Sequence, residues 1–293
     1  VLFDAEAQLG GVLRTGIPTY RLPREVLDRE IEALRRLGIE ERLGEALSAD
    51  RIAALAVEHD ALIVATGLQK LRGLDGEHAP LEGVEQGIHF LHRVNVEGRV
   101  ALRGHVVVLG GGNTAMDCAR SALRAGADEV TVVYRRGRGE MPAIAEEVEQ
   151  AEHEGVRFLF LRAPLGFAGE GRVRGVRLAE VELGLADESG RRRPVPSARE
   201  GLLPCDTVLL ALGQSADLSR LPAGWELREG RFYQGGVALP AFAAGDLAKP
   251  NTDPATHQYG TITLIARALI AANARPDPAN PPQREPNIAR EAW

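Results

Sequence analysis

Residues 105–126, HVVVLGGGNTAMDCARSALRAG, constrain this chain more than any other stretch. Val106, Val107, Val108 and Leu109 form an unbroken apolar run, as expected of a strand buried on both faces. Gly110, Gly111 and Gly112 then turn the chain. From Ala115 the apolar residues fall at helical spacing through Ala119, Ala122 and Leu123, and Gly126 stands where a C-terminal cap belongs. The spacing Gly110-x-Gly112-x-x-Ala115 is a dinucleotide fingerprint. One glycine permits the tight turn, the next lets a pyrophosphate approach the backbone, and a small third residue lets helix pack on strand. Asn113 and Thr114 open that helix, whose N-terminus offers N–H groups and a positive dipole end to phosphates. Strand before and helix after are the context that gives the motif its meaning. A glycine-rich turn with no ligand is the alternative.

The next strand selects the dinucleotide. Val130 to Tyr134 read as that strand, and at its end, where a carboxylate would hold the ribose hydroxyls of NAD, stand Arg135 and Arg136. Guanidinium forks bind a 2′-phosphate that a carboxylate would repel. No acidic residue lies between Val130 and Gly139, so the pattern predicts an NADPH site. A solvated basic turn, with Arg138 following closely, is the bland alternative.

The 293 residues suit one large domain or two ordinary ones. A formal charge of −6, without a basic stripe carrying interleaved aromatics, argues against nucleic-acid binding. Cys118 and Cys205 lie far apart, with no CxxC and no ligand cluster, so a disulfide framework, a redox-active pair, an iron–sulfur cluster and a metal centre are not expected within this chain. No run of 18 apolar residues occurs, which predicts no membrane span and a cytoplasmic protein.

The chain opens on Val1, and residues 1–5 read as a strand ending in Asp4, the layout of a second strand in a dinucleotide-binding unit. The matching first strand and glycine loop would lie upstream, so the chain is expected to be part of a longer protein. Asp4 as a plain surface acid is the competing reading. Residues 10–23 hold too many Gly and Pro for a regular element. Helices are expected over 24–37 and 47–58, a strand with a tight turn over 60–67, and an irregular connection over 68–98 with a short helix near 87–94. Past the arginine pair the pattern predicts a helix over 142–154, a strand over 156–160, two alternating strands over 173–178 and 180–185, and a polar loop over 190–204. Residues 206–213 repeat the sense of 60–67: an acid, a buried strand, a small residue, a glycine. The two segments read as crossings between a nucleotide domain and an inserted one. Residues 242–246 form a strand ending in Gly245-Asp246, and a helix over 261–273 precedes a Pro-rich tail.

Together, GGVLRTGIPTYRLPREVLDREIEALRRLGIE, VATG, VVVLGGGNTAMDCAR, VTVVYRRGRGEMPA and FAAGD resemble the family of the small (β) chain of NADPH-dependent glutamate synthase. That family belongs to a wider group of two-dinucleotide flavin reductases that includes the reductase part of dihydropyrimidine dehydrogenase. The resemblance runs over residues 1–246. It implies an α/β fold of two Rossmann-like domains, glutathione/thioredoxin-reductase-like. An FAD domain (1–98 and 214–293, the latter with the tail) would be split around an inserted NADPH domain (99–213). It implies that Asp4 binds the FAD ribose, with Gly10, Gly11, Leu13 and Ile17 along the flavin and Thr66 and Gly67 near the adenine. Asp246 would lie on the ribitol chain, Gly213 and Gly245 would complete the cofactor contacts, and Gly260 and Thr261 would start a helix facing the flavin ring. Gly110, Gly112, Asn113, Thr114, Ala115, Arg135 and Arg136 would take NADPH.

Three departures stand beside the resemblance: no FAD glycine loop, no Cys-rich N-terminal region, and an unfamiliar KPNTDPATHQY at 249–259, which includes His257 and Tyr259. The implied activity is transfer of electrons from NADPH through flavin to a larger partner subunit or an iron–sulfur protein, with no catalytic side chain named and a homo-oligomer left open. A ferredoxin- or thioredoxin-reductase-like enzyme, or a non-catalytic NADPH-binding sensor or structural subunit, are the alternatives.

Overall fold

The structure, a computed structural model, describes residues 1–74, 80–98, 100–186 and 192–248. The chain begins with β1 (Leu2–Asp4), α1 (Gly11–Thr15), α2 (Arg24–Arg35), β2 (Glu41–Leu43), α3 (Ala49–Glu58), β3 (Leu62–Val64), β4 (Lys70–Leu71), β5 (Val84–Gln86) and α4 (Gly87–His92). Its centre holds β6 (His105–Leu109), α5 (Asn113–Arg124), β7 (Glu129–Tyr134), α6 (Ala145–His153), β8 (Arg157–Phe160), β9 (Arg162–Glu170), β10 (Arg172–Ala186), β11 (Arg192–Pro204) and β12 (Thr207–Leu210). Then follow β13 (Gln214–Ser215), β14 (Trp225–Arg228), β15 (Arg231–Gln234) and β16 (Val237–Ala243).

Two compact units result, one of Val1–Ala46 with Leu71–Gln214 and one of Leu47–Lys70 with the described residues from Ser215 onward. Packing therefore divides the chain at other points than the sequence boundaries 98/99 and 213/214. Residues 1–46 go with the first unit because Arg21 pairs with Asp117 of α5 and Asn95 Nδ2 donates to the Thr15 carbonyl at 3.0 Å.

The first unit is built on a five-stranded sheet in the order β5-β12-β6-β7-β8, parallel throughout. Val106 and Val108 face a core with Phe90, Leu91, Met116, Ala119 and Val148 from the helices. Val107 and Leu109 face the other way, against Val173, Val176 and Leu178 of β10. Burial on both faces explains the continuous apolar run of β6. One covering layer is thus helical and the other is an antiparallel sheet, β11-β10-β9. β1 and β2 pair in parallel as a separate two-stranded sheet.

That antiparallel layer corrects two expectations. Residues 172–186 form one 15-residue strand rather than two, because the register shift between Ala179 and Val181 kinks a continuous ladder without ending it. Within the expected loop at 190–204, Arg192–Pro204 instead form β11, an edge strand, where a sheet tolerates prolines. Residues 10–23 likewise contain a single helical turn, α1, entered through Gly10 and Gly11 at positive φ. Helix α6 begins at Ala145, because residues 142–144 are drawn into other bonds described below. β5 was read as irregular connection, since three residues are too few for a periodic signal.

The second unit carries a four-stranded sheet in the order β14-β15-β16-β3, with β3 parallel to β16 and the others antiparallel. Phe232, Val64, Ala241, Ala243 and Leu247 form its core with Ile52 of α3. The expected helix at 261–273, with Gly260, Thr261, His257 and Tyr259, lies outside the described residues.

Candidate functional site

In the first unit the loops after β6, β7 and β12 all leave the same edge of the parallel sheet, its C-terminal edge. This edge is where open α/β sheets hold their ligands. It carries Gly110, Gly112, Asn113, Thr114 and Ala115 after β6, Arg135 and Arg136 after β7, and Gly213 after β12.

The three glycines have different reasons to be glycine. A Cβ on Gly110, which has φ +147°, would lie 2.3 Å from the Ala211 carbonyl oxygen. One on Gly111 would lie 2.5 Å from the Tyr134 ring. Both are demanded by the protein's own packing. Among the described residues a Cβ on Gly112 would meet only Pro142, at 4.0 Å, so their atoms do not account for the missing side chain there. Gly112 is also the N-cap of α5, and no side chain caps that helix. The space in front of Gly112 and the uncapped helix end suit an anionic group close to backbone N–H groups. Ala115 is fully buried, as a small residue between helix and strand requires. Asn113 does more than the fingerprint foretold: its Oδ1 accepts the Ile144 N–H at 2.9 Å, while Ala143 N–H donates to the Gly111 carbonyl at 3.2 Å. The MPAI segment is thereby tied to the glycine loop, which is why α6 starts late.

The turn after β7 holds the arginine pair. Arg135 is exposed. Arg136 is only 9% exposed, and its Nε donates to the Arg192 carbonyl of β11 at 2.7 Å. Arg138 is engaged by Glu152 of α6. Glu140 closes the turn: its Oε2 accepts the Gly137 N–H at 3.1 Å, and its carbonyl accepts the Tyr134 hydroxyl at 2.8 Å. The Arg192 guanidinium bonds Glu140 through Nε at 2.7 Å and again through Nη2. That guanidinium above all, with the Gly137 N–H adding to it, holds the Glu140 carboxyl below the usual carboxylate range. Glu140 and Arg192 were not among the expected site residues. The capping geometry of Glu140 leaves a weak local trace in the sequence, whereas Arg192 arrives from 52 residues away along an unforeseen strand.

The residues expected along a flavin divide between the units. In the first, Asp4 ends β1, and its Oδ1 accepts the Glu6 N–H at 2.9 Å. Gly10 has φ +125° and Gly11 φ +48°, and no described residue occupies the space where a Gly11 side chain would be. Leu13 is exposed on α1, and Ile17 is half-buried. In the second, Thr66 is exposed, and Gly67 and Gly245 have positive φ and no described residue within 4 Å of an added Cβ. Gly245 starts the turn after β16, with Asp246 exposed beside it. Both sets leave room for a ligand near the backbone.

Behind the fingerprint helix lies a charge network the sequence did not suggest. Arg21 Nη1 donates to both oxygens of Asp117 at 2.8 Å, and its Nε meets Glu147 at 2.9 Å. Arg120 and Arg124 both bond Glu154, and their guanidinium carbons lie 4.6 and 4.0 Å from the Tyr20 ring centroid. Burial pushes the Asp117 carboxyl up, with Arg21 pulling against it, and pushes the Tyr20 hydroxyl up to about 12. The segment carrying Gly10 to Ile17 is thus continuous with one clamped onto α5.

Residues 22–269 match the pyridine nucleotide-disulphide oxidoreductase family model. The chain is similar to the NADP(+)-dependent formate dehydrogenase subunit beta of Moorella thermoacetica, with 43% identity over 281 residues, 94% of this chain and 38% of the relative. It is 39% identical over 240 residues to the glutamate synthase (NADPH) small chain of Halomonas elongata, covering 77% of this chain and 49% of the relative. The chain therefore spans less than half the length of either. FprA of Mycobacterium tuberculosis, solved in complex with NADPH, shares the fold with a TM-score of 0.78 at 17% identity, covering 96% of this chain and 79% of that one. The fold is α/β and of the glutathione/thioredoxin-reductase-like flavoprotein kind. Among the described residues, no helix is long and apolar enough to cross a membrane.

Proposed function

Because the chain belongs to the pyridine nucleotide-disulphide oxidoreductase family, we propose that it is the NADPH- and FAD-binding part of an oxidoreductase that hands electrons to a partner. The observation that carries this reading is the pairing, on one sheet edge, of an arginine turn with a glycine whose absent side chain the packing of the described residues does not explain. NADPH and FAD, when bound, supply hydride transfer from nicotinamide to flavin and the onward release of electrons.

The chain's own residues bind and orient. The N-terminus of α5, with Gly110, Gly112, Asn113, Thr114 and Ala115, takes the pyrophosphate of NADPH against backbone N–H groups. Gly213 flanks it after β12. Arg135 and Arg136 take the 2′-phosphate through charge-assisted hydrogen bonds. Asp4 takes the FAD ribose, and Gly10, Gly11, Leu13, Ile17, Thr66, Gly67, Gly245 and Asp246 are the further FAD-binding residues. Gly260 and Thr261 complete that set. No side chain of the described residues is assigned a proton-transfer role. Residues 1–98 and 214–293 serve the flavin, and 99–213 serve NADPH.

The relatives named as a beta subunit and a small chain support a larger partner subunit; the electron acceptor we propose is that subunit or an iron–sulfur protein. Free, buried Cys118 and Cys205 suit work in the reducing cytoplasm. The test is affinity for NADPH against NADH in the wild type and in a double variant, Arg135→Ala with Arg136→Ala. The wild type should prefer NADPH and the double variant should lose that preference. A wild type without preference, or a double variant that keeps it, would overturn the assignment.

A further inference from the structure

The arginine turn carries its own opposing charge. Glu140 lies inside the turn, its side chain only 12% exposed, fixed from below by the Gly137 N–H and through its backbone by the Tyr134 hydroxyl. The carboxylate cannot swing out without losing the Gly137 N–H. A carboxylate there works against any phosphate drawn to Arg135 and Arg136. Arg138, the nearest cation in sequence, is committed to Glu152. The charge is answered instead by Arg192, half-exposed at 54%, which covers Glu140 from β11. The same residue's carbonyl receives the Arg136 Nε–H at 2.7 Å, so its backbone also orients the guanidinium expected to meet the ligand.

We propose that Arg192 is a specificity-determining residue for the 2′-phosphate: its side chain cancels Glu140 within the arginine turn, while its carbonyl aims Arg136. The inference rests on the reading of Arg135 and Arg136 as the 2′-phosphate subsite and adds a residue from a different layer of the unit. A guanidinium at 192 leaves the charge of both Arg135 and Arg136 uncancelled, whereas a neutral residue there lets Glu140 offset one of the two.

The test is calorimetric titration with 2′,5′-ADP and with 5′-AMP, which differ by the phosphate alone and require neither flavin nor turnover. Arg192→Ala should weaken 2′,5′-ADP by about fivefold, the scale of a half-exposed charge pair, and leave 5′-AMP unchanged. Arg192→Lys should retain most of the preference, and Glu140→Gln added to Arg192→Ala should restore it. An equal loss for both ligands would mean a structural role only, and no loss for either would mean no role; each overturns the proposal. The double variant at Arg135 and Arg136 serves as the control. If it keeps the preference for 2′,5′-ADP, the subsite reading fails; if it loses the preference while Arg192→Ala keeps it, Arg192 alone is refuted.

Discussion

The carbonyl oxygen of Ala211 lies 2.3 Å from the position a side chain on Gly110 would take. The ends of β6 and β12 are drawn together there, with Ala211 N–H donating to the Leu109 carbonyl at 2.8 Å. Gly110 is therefore a packing glycine at a positive φ, whereas Gly112, with φ −95°, has no such conflict. Gly110→Ala should lower stability by about 2 kcal/mol or more, as forced overpacking does. Gly112→Ala, an unstrained change at an N-cap, should cost no more than about 1 kcal/mol and weaken NADPH binding. Urea denaturation of both variants with an NADPH titration checks the contrast. Equal stability losses would contradict it.

Asp117 is nearly buried, its side chain 6% exposed, and Arg21 is its bidentate partner. Removing one member of such a pair leaves an uncompensated charge. Arg21→Ala should cost about 3 kcal/mol. The urea midpoint reads this directly, and a change below about 1 kcal/mol, the range of exposed pairs, would mean that the pair is solvated.

Arg124 above all, opposed by burial and joined by Arg120, holds the Glu154 carboxyl down at about 2 against an ordinary value of 4.5. As pH falls, the unfolded chain takes up that proton first. The stability Glu154 contributes is thus complete above about pH 4.5 and lost as the pH approaches 2. Asp117, raised by burial against the pull of Arg21, titrates with the opposite sign and offsets part of the loss. Urea midpoints over this window should fall less steeply for Glu154→Gln than for wild type. Parallel slopes would refute the role of this carboxylate.

Strand β6, the glycine turn and α5 were legible because burial on both faces, the fingerprint spacing and helical periodicity all act within about 20 residues. Arg135 and Arg136 were legible for the same local reason. β11 was not, because three prolines and many charges mark a loop unless the neighbouring strand is known, and its pairing with β10 depends on contacts far apart in sequence. Arg192 and Glu140 meet only through that pairing. Tyr20, Arg21 and Asp117 likewise lie 96 or 97 residues apart, and nothing in either local pattern announces the other. β1 was found as a strand, yet its partner β2, three residues long, was missed.

The proposed function requires that NADPH bound by this chain reduce flavin in the same protein. The decisive measurement is the visible absorption spectrum of the protein, purified as its natural polypeptide, before and after anaerobic addition of NADPH. A flavin band should bleach with NADPH and far more slowly with NADH. A colourless protein that still binds NADPH, or a flavin that NADPH leaves oxidised, would contradict it.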